Sequence, residues 1–248
     1  MKKTQTLILE HYLGSDSMNF REFEELINSG ADEITLTEDV ILEDGEEEKY
    51  EEGIEIIKNN LIIDGDNHAI DGCMKVPLLI INASNIILKN ILFKNSYCEY
   101  SGAAVDNRDN LTIEDCRFVD NSSDEYGGAI YSASNSKLSI RKSIFKKNRA
   151  DYGGAIYIDS DSVLNLDGSL FESNSSEFEG GAIYNKAKLL IYGSLFDKNA
   201  SFKGGAIYNE YVLNVKSSEF RNNIASDGNH IESENEENLS ISDCNFRG

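Results

Sequence analysis

The chain has 248 residues, a formal net charge of -21 and a pI of about 4.4. Such a surface repels phosphate backbones and anionic lipid, so nucleic acid and membranes are disfavoured as partners. No stretch approaches the ~20 apolar residues of a spanning helix. Regular placement of the apolar residues excludes disorder, and four cysteines are too few for a disulfide scaffold.

The N-terminal Met1-Lys2-Lys3 resembles the start of a signal peptide. The apolar run that follows is only Leu7-Ile8-Leu9, short of the roughly seven residues a signal core needs, so no address or anchor is legible. Phe20, Phe23, Leu26 and Ile27 share one helical face. Asn19 followed by Glu22 reads as a capping box, with Gly30 suited to the stop. Residues 1–31 are thus an N-terminal segment with an amphipathic capping helix, and residues 32–248 form one repeat domain. Strand-like Glu33-Ile-Thr-Leu36 begins that domain. Acidic Glu43–Glu52 reads as a solvated excursion, with a cation-binding loop as the alternative. Asp64-Gly-Asp66-Asn-His68 resembles a calcium loop but lacks Gly at the sixth place and Glu at the twelfth, so a polar turn is expected.

From there the chain repeats. Gly-Gly-Ala-Ile-Tyr begins at Gly127, Gly153, Gly180 and Gly204. Weaker relatives stand at Ser101-Gly-Ala-Ala-Val105 and Gly228-Asn-His-Ile231. About ten residues later comes an apolar-x-apolar strand, from Leu61 and Ile86 through Leu111, Leu138, Leu164, Leu189, Leu213 and Leu239. A third landmark, Phe-x-x-Asn, pairs Phe118 with Asn121, Phe145 with Asn148, Phe171 with Asn174, Phe196 with Asn199 and Phe220 with Asn223. Phe93 and Phe246 end the series, and small residues such as Cys116, Ser143, Ser169, Ser194 and Ser218 sit two places before each Phe.

Each period therefore holds about three short strands and no helix-length segment. Like strands recur one full period apart, so the solution is a coil whose rungs stack in parallel about 4.8 Å apart. The fold class is all-β, a parallel β-helix of about eight rungs of ~25 residues, roughly 35–40 Å long. Stacking turns each repeat position into a column. The Phe column fills the core, each ring contributing roughly 1.5–3 kcal/mol. The Asn column forms a buried amide ladder in which each removal costs on the order of 1–3 kcal/mol. Asp64, Lys89, Glu114, Arg141 and Asp167 alternate in sign along a solvated column continued by Tyr192, Lys216 and Ser242. The last repeat stops at Phe246-Arg-Gly248, before its Asn, and no capping device is legible there.

At the Gly-Gly-Ala-Ile and Phe-x-x-Asn columns the chain resembles right-handed parallel β-helix proteins with polymorphic outer-membrane-protein-type repeats, and adhesin-like surface proteins built on the same rungs. The resemblance covers about residues 32–248. It implies right-handed coiling and, loosely, a secreted or cell-surface location with adhesion to carbohydrate or to a surface protein. The same fold houses polysaccharide lyases and hydrolases.

Tyr131, Tyr157, Tyr184 and Tyr208 follow each inward Ile and should point out, forming a flat strip suited to sugar faces or a partner protein. The alternative is ring stacking that only stabilises the sheet. Tyr100, Tyr126, Tyr152, Phe178 and Phe202 lie near the Gly pairs and either widen the strip or pack at a turn. The competing function is a pectate-lyase-like lyase or a glycoside hydrolase, for which Glu114, Arg141 and Asp167 are the nearest candidate cluster. A structural segment of a larger surface protein is the third reading. His11, His68 and His230 make no metal or triad spacing, and no cofactor is specified; Ca²⁺ suits the acidity but has no motif. Cys73 and Cys98 are one period apart and either fill space or bridge two rungs; Cys116 and Cys244 are too far apart to bond. Of six N-glycosylation sequons, at Asn82, Asn110, Asn121, Asn174, Asn199 and Asn238, three fall on the buried ladder.

Overall fold

A computed structural model describes residues 6–7, 17–226 and 229–248. Met1-Lys2-Lys3, Ile8, Leu9, His11 and Gly228 lie outside the described residues. The chain winds as a right-handed all-parallel β-solenoid of about 9 turns. Like strands stack into sheets, and every pairing is with the strand one turn before or after. The Leu strands and the Phe strands each form a ten-stranded sheet, and the Ile-Tyr strands form an eight-stranded one. These sheets extend beyond the legible repeats because the first rungs, such as Glu33–Thr35 and Asp39–Ile41, keep the apolar alternation but lack the motifs. A short fourth sheet of six strands, from Tyr97–Cys98 to Ile224–Ala225, was not anticipated. Its strands run mostly through Ser, Ala and Asn-flanked turns, where no apolar alternation marks a strand.

Residues in the left-handed backbone region bend the chain on both sides of each Phe strand. Asp115 and Asp120 (φ 52° and 55°) flank Arg117–Val119, and Lys142 and Lys147 (φ 48° and 56°) flank Ile144–Lys146. The first glycine of each Gly-Gly pair is left-handed as well, with φ 59° at Gly127. The second is a point of close approach: a Cβ on Gly128 would fall on the carbonyl oxygens of Arg149 and Gly154.

The core follows the expected columns. Phe93, Phe118, Phe145, Phe171, Phe196 and Phe220 are fully buried, with successive ring centroids 4.6–4.8 Å apart. Asn121, Asn148, Asn174 and Asn199 are each 0% exposed. Each Nδ2 donates to the next Oδ1 at 2.9 Å, and each backbone N–H donates to the same oxygen at 2.9–3.2 Å. Nδ2 also donates to the carbonyl of the Phe one rung back, as from Asn174 to Phe145 at 3.0 Å. Three of the sequons are therefore sealed in the core. The small residues before each Phe make a second ladder: the N–H of Ser143 donates to Ser169 Oγ at 3.1 Å, and Ser169 to Ser194 and Ser194 to Ser218 likewise.

The N-terminal helix, Phe20–Ile27, buries the expected four residues and has the Asn19–Glu22 capping box. Residues 43–52 are more than a solvated excursion, which corrects that expectation. Tyr50 is 1% exposed, with its ring edge-on to Phe20 at 5.5 Å. Glu46 is buried and accepts from the N–H groups of Phe20, Arg21 and Glu43. A carboxylate at the exposed amides of a helix start offsets their missing partners, and it ties the acidic segment to the cap.

Candidate binding face

The outward side of the Ile-Tyr sheet carries the residues singled out above. Alternation puts Ile130, Ile156, Ile183 and Ile207 in the core and the following tyrosines on the other side. The register pairs Tyr131 with Tyr157, Tyr157 with Tyr184 and Tyr184 with Tyr208. Their rings follow one another at 5.6, 5.0 and 5.1 Å. The column continues into Asp106 and Ile80 toward the N-terminus, and into Glu232 toward the C-terminus.

The tyrosines point out of the core, but they are not an exposed strip. Tyr157, Tyr184 and Tyr208 are 5%, 6% and 3% exposed, and Tyr131 is half-buried. A second layer covers them. Tyr126 lies 4.7 Å from Tyr157, Tyr152 meets Tyr184 edge-on at 5.6 Å, and Phe178 packs on Tyr152 at 5.2 Å. Lys186 Nζ sits 5.7 Å from the ring centroids of both Tyr157 and Tyr184, and Lys203 Nζ 5.5 Å from that of Tyr208. The phenols donate to carboxylates one rung on: Tyr131 to Asp159 at 3.0 Å, Tyr184 to Glu210 and Tyr208 to Glu234. Burial, and then these carboxylates, push the three phenol pKa values well above the usual range. The stack reaches solvent at Phe178, which is 39% exposed; Phe202 and Tyr100 are exposed as well, at 56% and 66%.

Toward the N-terminus the same face opens into a cleft of about 670 Å³. Its floor is Leu79, Ile80, Asp106 and Arg108, its walls the acidic segment and residues 97–102. Sequence reasoning missed Asp106, although it sits at the Tyr position of its own degenerate repeat. It is 8% exposed; Oδ2 accepts from Arg108 at 2.7 and 3.0 Å, and Oδ1 has no donor. Burial raises its pKa against the lowering pull of Arg108.

The competing cluster resolves into a ladder. Glu114 pairs in register with Lys89 and Arg141, and Arg141 with Asp167. Arg141 lies 3.5 Å from Glu114, and Lys89 lies 3.2 Å from Asp64. Arg141, Asp167, Tyr192 and Lys216 line an open trough of about 570 Å³ on the Leu sheet. His68 faces Asp39 at 3.3 Å, whereas His230 lies at the last rung near Asn223. Asp64 Oδ1 accepts from the N–H of Asp66 and from Asn90, as in a polar turn. Among the described residues no group of three or more His, Cys, Asp or Glu is arranged to hold a metal. All four cysteines are free, and burial pushes the Cys116 thiol up to about 12. Among the described residues no helix is long and apolar enough to cross a membrane.

A family model described as "right handed beta helix region" matches residues 29–196, more than half of the chain. No curated protein and no solved structure matches.

Proposed function

This chain belongs to the right-handed β-helix family, and from that premise we propose that it is a non-catalytic, adhesin-like module that binds carbohydrate along the aromatic edge of its Ile-Tyr sheet. The observation that carries this reading is the two-layer ring stack. The buried tyrosines form a rigid base, fixed by phenol–carboxylate bonds, and hold Tyr126, Tyr152 and Phe178 in place above them. Rings held in place lose little freedom on contact, and their apolar faces suit the C–H face of a sugar ring. Neighbouring carboxylates and lysines supply hydrogen-bond partners for hydroxyl groups. The catalytic alternative loses its best residues, because Glu114, Arg141 and Asp167 belong to a charge column rather than a convergent group. A cell-surface location would follow from this role.

The burial of Tyr157 and Tyr184 changes the informative substitution. Removing them would disturb the base, whereas Phe178→Ala with Phe202→Ala removes exposed rings and leaves the base intact. On a glycan array, wild-type protein should give a defined set of positive glycans and the double variant should lose at least tenfold in signal. Tyr192→Ala, on the Leu sheet, should retain it. Full binding by the double variant, or no glycan bound by the wild type, overturns the reading.

A further inference from the structure

Over its C-terminal turns the outer face of the Leu sheet is basic, on a chain of net charge -21. Its last five strands are Lys137–Arg141, Val163–Asp167, Lys188–Tyr192, Val212–Lys216 and Leu239–Ser242. Their outward positions hold Lys137, Arg141, Lys188 and Lys216 against a single carboxylate, Asp167. Lys137, Lys188 and Lys216 are exposed and have no ion pair among the described residues. The open trough of about 570 Å³ runs along this face from Ser139 to Ser240. Its middle is apolar. Leu190 and Tyr192 stand on one strand, and the register puts Asn165 and Asn214 beside Leu190 on the neighbouring turns. Tyr192 is 55% exposed, in contrast to the covered tyrosines of the Ile-Tyr sheet.

We propose that this trough docks a short, extended, acidic peptide segment of a partner protein, with an aliphatic residue at its centre. Charge complementarity sets the sign: cations without partners on the rim suit carboxylates of the incoming segment. The net charge of the chain repels such a segment at long range. Exposed charges beyond about 8 Å are largely screened at physiological ionic strength, so the cations of the trough decide. The middle sets the apolar residue, because a tyrosine and a leucine inside a polar rim have the anatomy of an interface centre. Size sets the form. Five strands about 4.8 Å apart span roughly 19 Å, and three outward positions per strand span roughly 13 Å. The resulting face of roughly 250 Å² is far below the roughly 800 Å² that each partner gives to a stable globular interface. It matches about six residues of extended chain. Asn165 and Asn214 offer amide donors and acceptors to the backbone of that chain. This docking is independent of carbohydrate binding at the aromatic edge.

The test is fluorescence polarisation of a fluorescein-labelled peptide, EELLEE, titrated with the full chain in about 0.15 M NaCl. Saturable one-to-one binding is expected, and it should be largely lost in about 1 M NaCl. Lys188→Glu with Lys216→Glu should weaken it at least about tenfold, and Tyr192→Ala about tenfold. All three side chains are exposed, so these variants keep the fold, which circular dichroism checks. Phe178→Ala with Phe202→Ala should leave peptide binding unchanged, which separates the trough from the aromatic edge. The peptide EEGGEE should bind about tenfold more weakly than EELLEE. No saturable binding of EELLEE, or wild-type affinity in both the lysine and the Tyr192 variants, overturns the proposal. Equal binding of EEGGEE would remove the apolar centre from the account and also overturn it. Binding of trigalacturonate as tight as that of EELLEE would assign the trough to an acidic saccharide, with the same result.

Discussion

Replacing Asn174 by Ala removes one amide from the middle of the Asn ladder. Its Nδ2 donates to Phe145 O and Asn199 Oδ1, and its Oδ1 accepts the backbone N–H and an Nδ2 hydrogen of Asn148. Four hydrogen bonds vanish, and the backbone N–H of Asn148 is left in a site with 0% exposure. An orphaned buried donor costs about 1–3 kcal/mol and each of the three remaining bonds about 1 kcal/mol, so the loss should be about 4–6 kcal/mol. This exceeds the estimate from sequence because each amide serves two rungs. For a chain of this size it corresponds to a fall in melting temperature of about 10 °C, measured by far-ultraviolet circular dichroism. Asn223→Ala is the matched control, since Asn223 is 9% exposed and lies next to the last rung, and its effect should be smaller. A loss below about 1 kcal/mol at Asn174, or one equal to that at Asn223, would mean that the freed groups find other partners and that the ladder does not anchor the core.

Two further outcomes follow from the covered tyrosines and the cap. Tyr131, Tyr184 and Tyr208 have pKa values raised from 10.0, first by burial and then by their carboxylates. The fold therefore binds these protons more tightly than the unfolded chain. Their stabilising contribution is complete below pH 10 and is lost as pH rises through the folded values. In an alkaline titration their tyrosinate absorbance should appear together with unfolding; ionisation of all twelve tyrosines near pH 10 in a folded protein would refute this. Glu46→Ala should cost about 2–3 kcal/mol by freeing the amides of Phe20, Arg21 and Glu43. It should also open the chain after Lys49 to trypsin, and unchanged resistance would show that Tyr50 alone holds the segment.

The columns were legible because a solenoid writes each structural position into the sequence once per turn. Phe118 through Phe220 and Asn121 through Asn223 could be aligned without knowing what they touched, and the sign alternation from Asp64 to Asp167 independently set the outer register. What lies over a face was not legible. Alternation shows that Tyr157 points away from Ile156, but not that Tyr126 from the neighbouring turn lies 4.7 Å above it. The covering residues come from turns of unequal length, including the register shift between Ala150 and Tyr152, so they form no clean column. Asp106 was hidden for a related reason: its repeat reads Ser101-Gly-Ala-Ala-Val105, too degenerate to align with confidence at the following residue. Glu46 and Tyr50 sit outside the period in an acidic run, and only their burial distinguishes them from solvated neighbours.

The Asn ladder also has a direction. Every interior side-chain amide donates toward the C-terminal end and accepts from the N-terminal side, so the amide dipoles add rather than cancel. The column behaves as a short polar wire whose electropositive end is Asn223. There Nδ2 reaches Nδ1 of His230 at 3.3 Å, where a neutral ring offers a lone pair. Burial lowers the His230 pKa from 6.5, and a proton on Nδ1 would remove the acceptor and face the positive pole. The last rung is accordingly held fully above pH 6.5 and loosens as pH falls below it. Mild acid thus weakens the contact that joins the Asn ladder to His230.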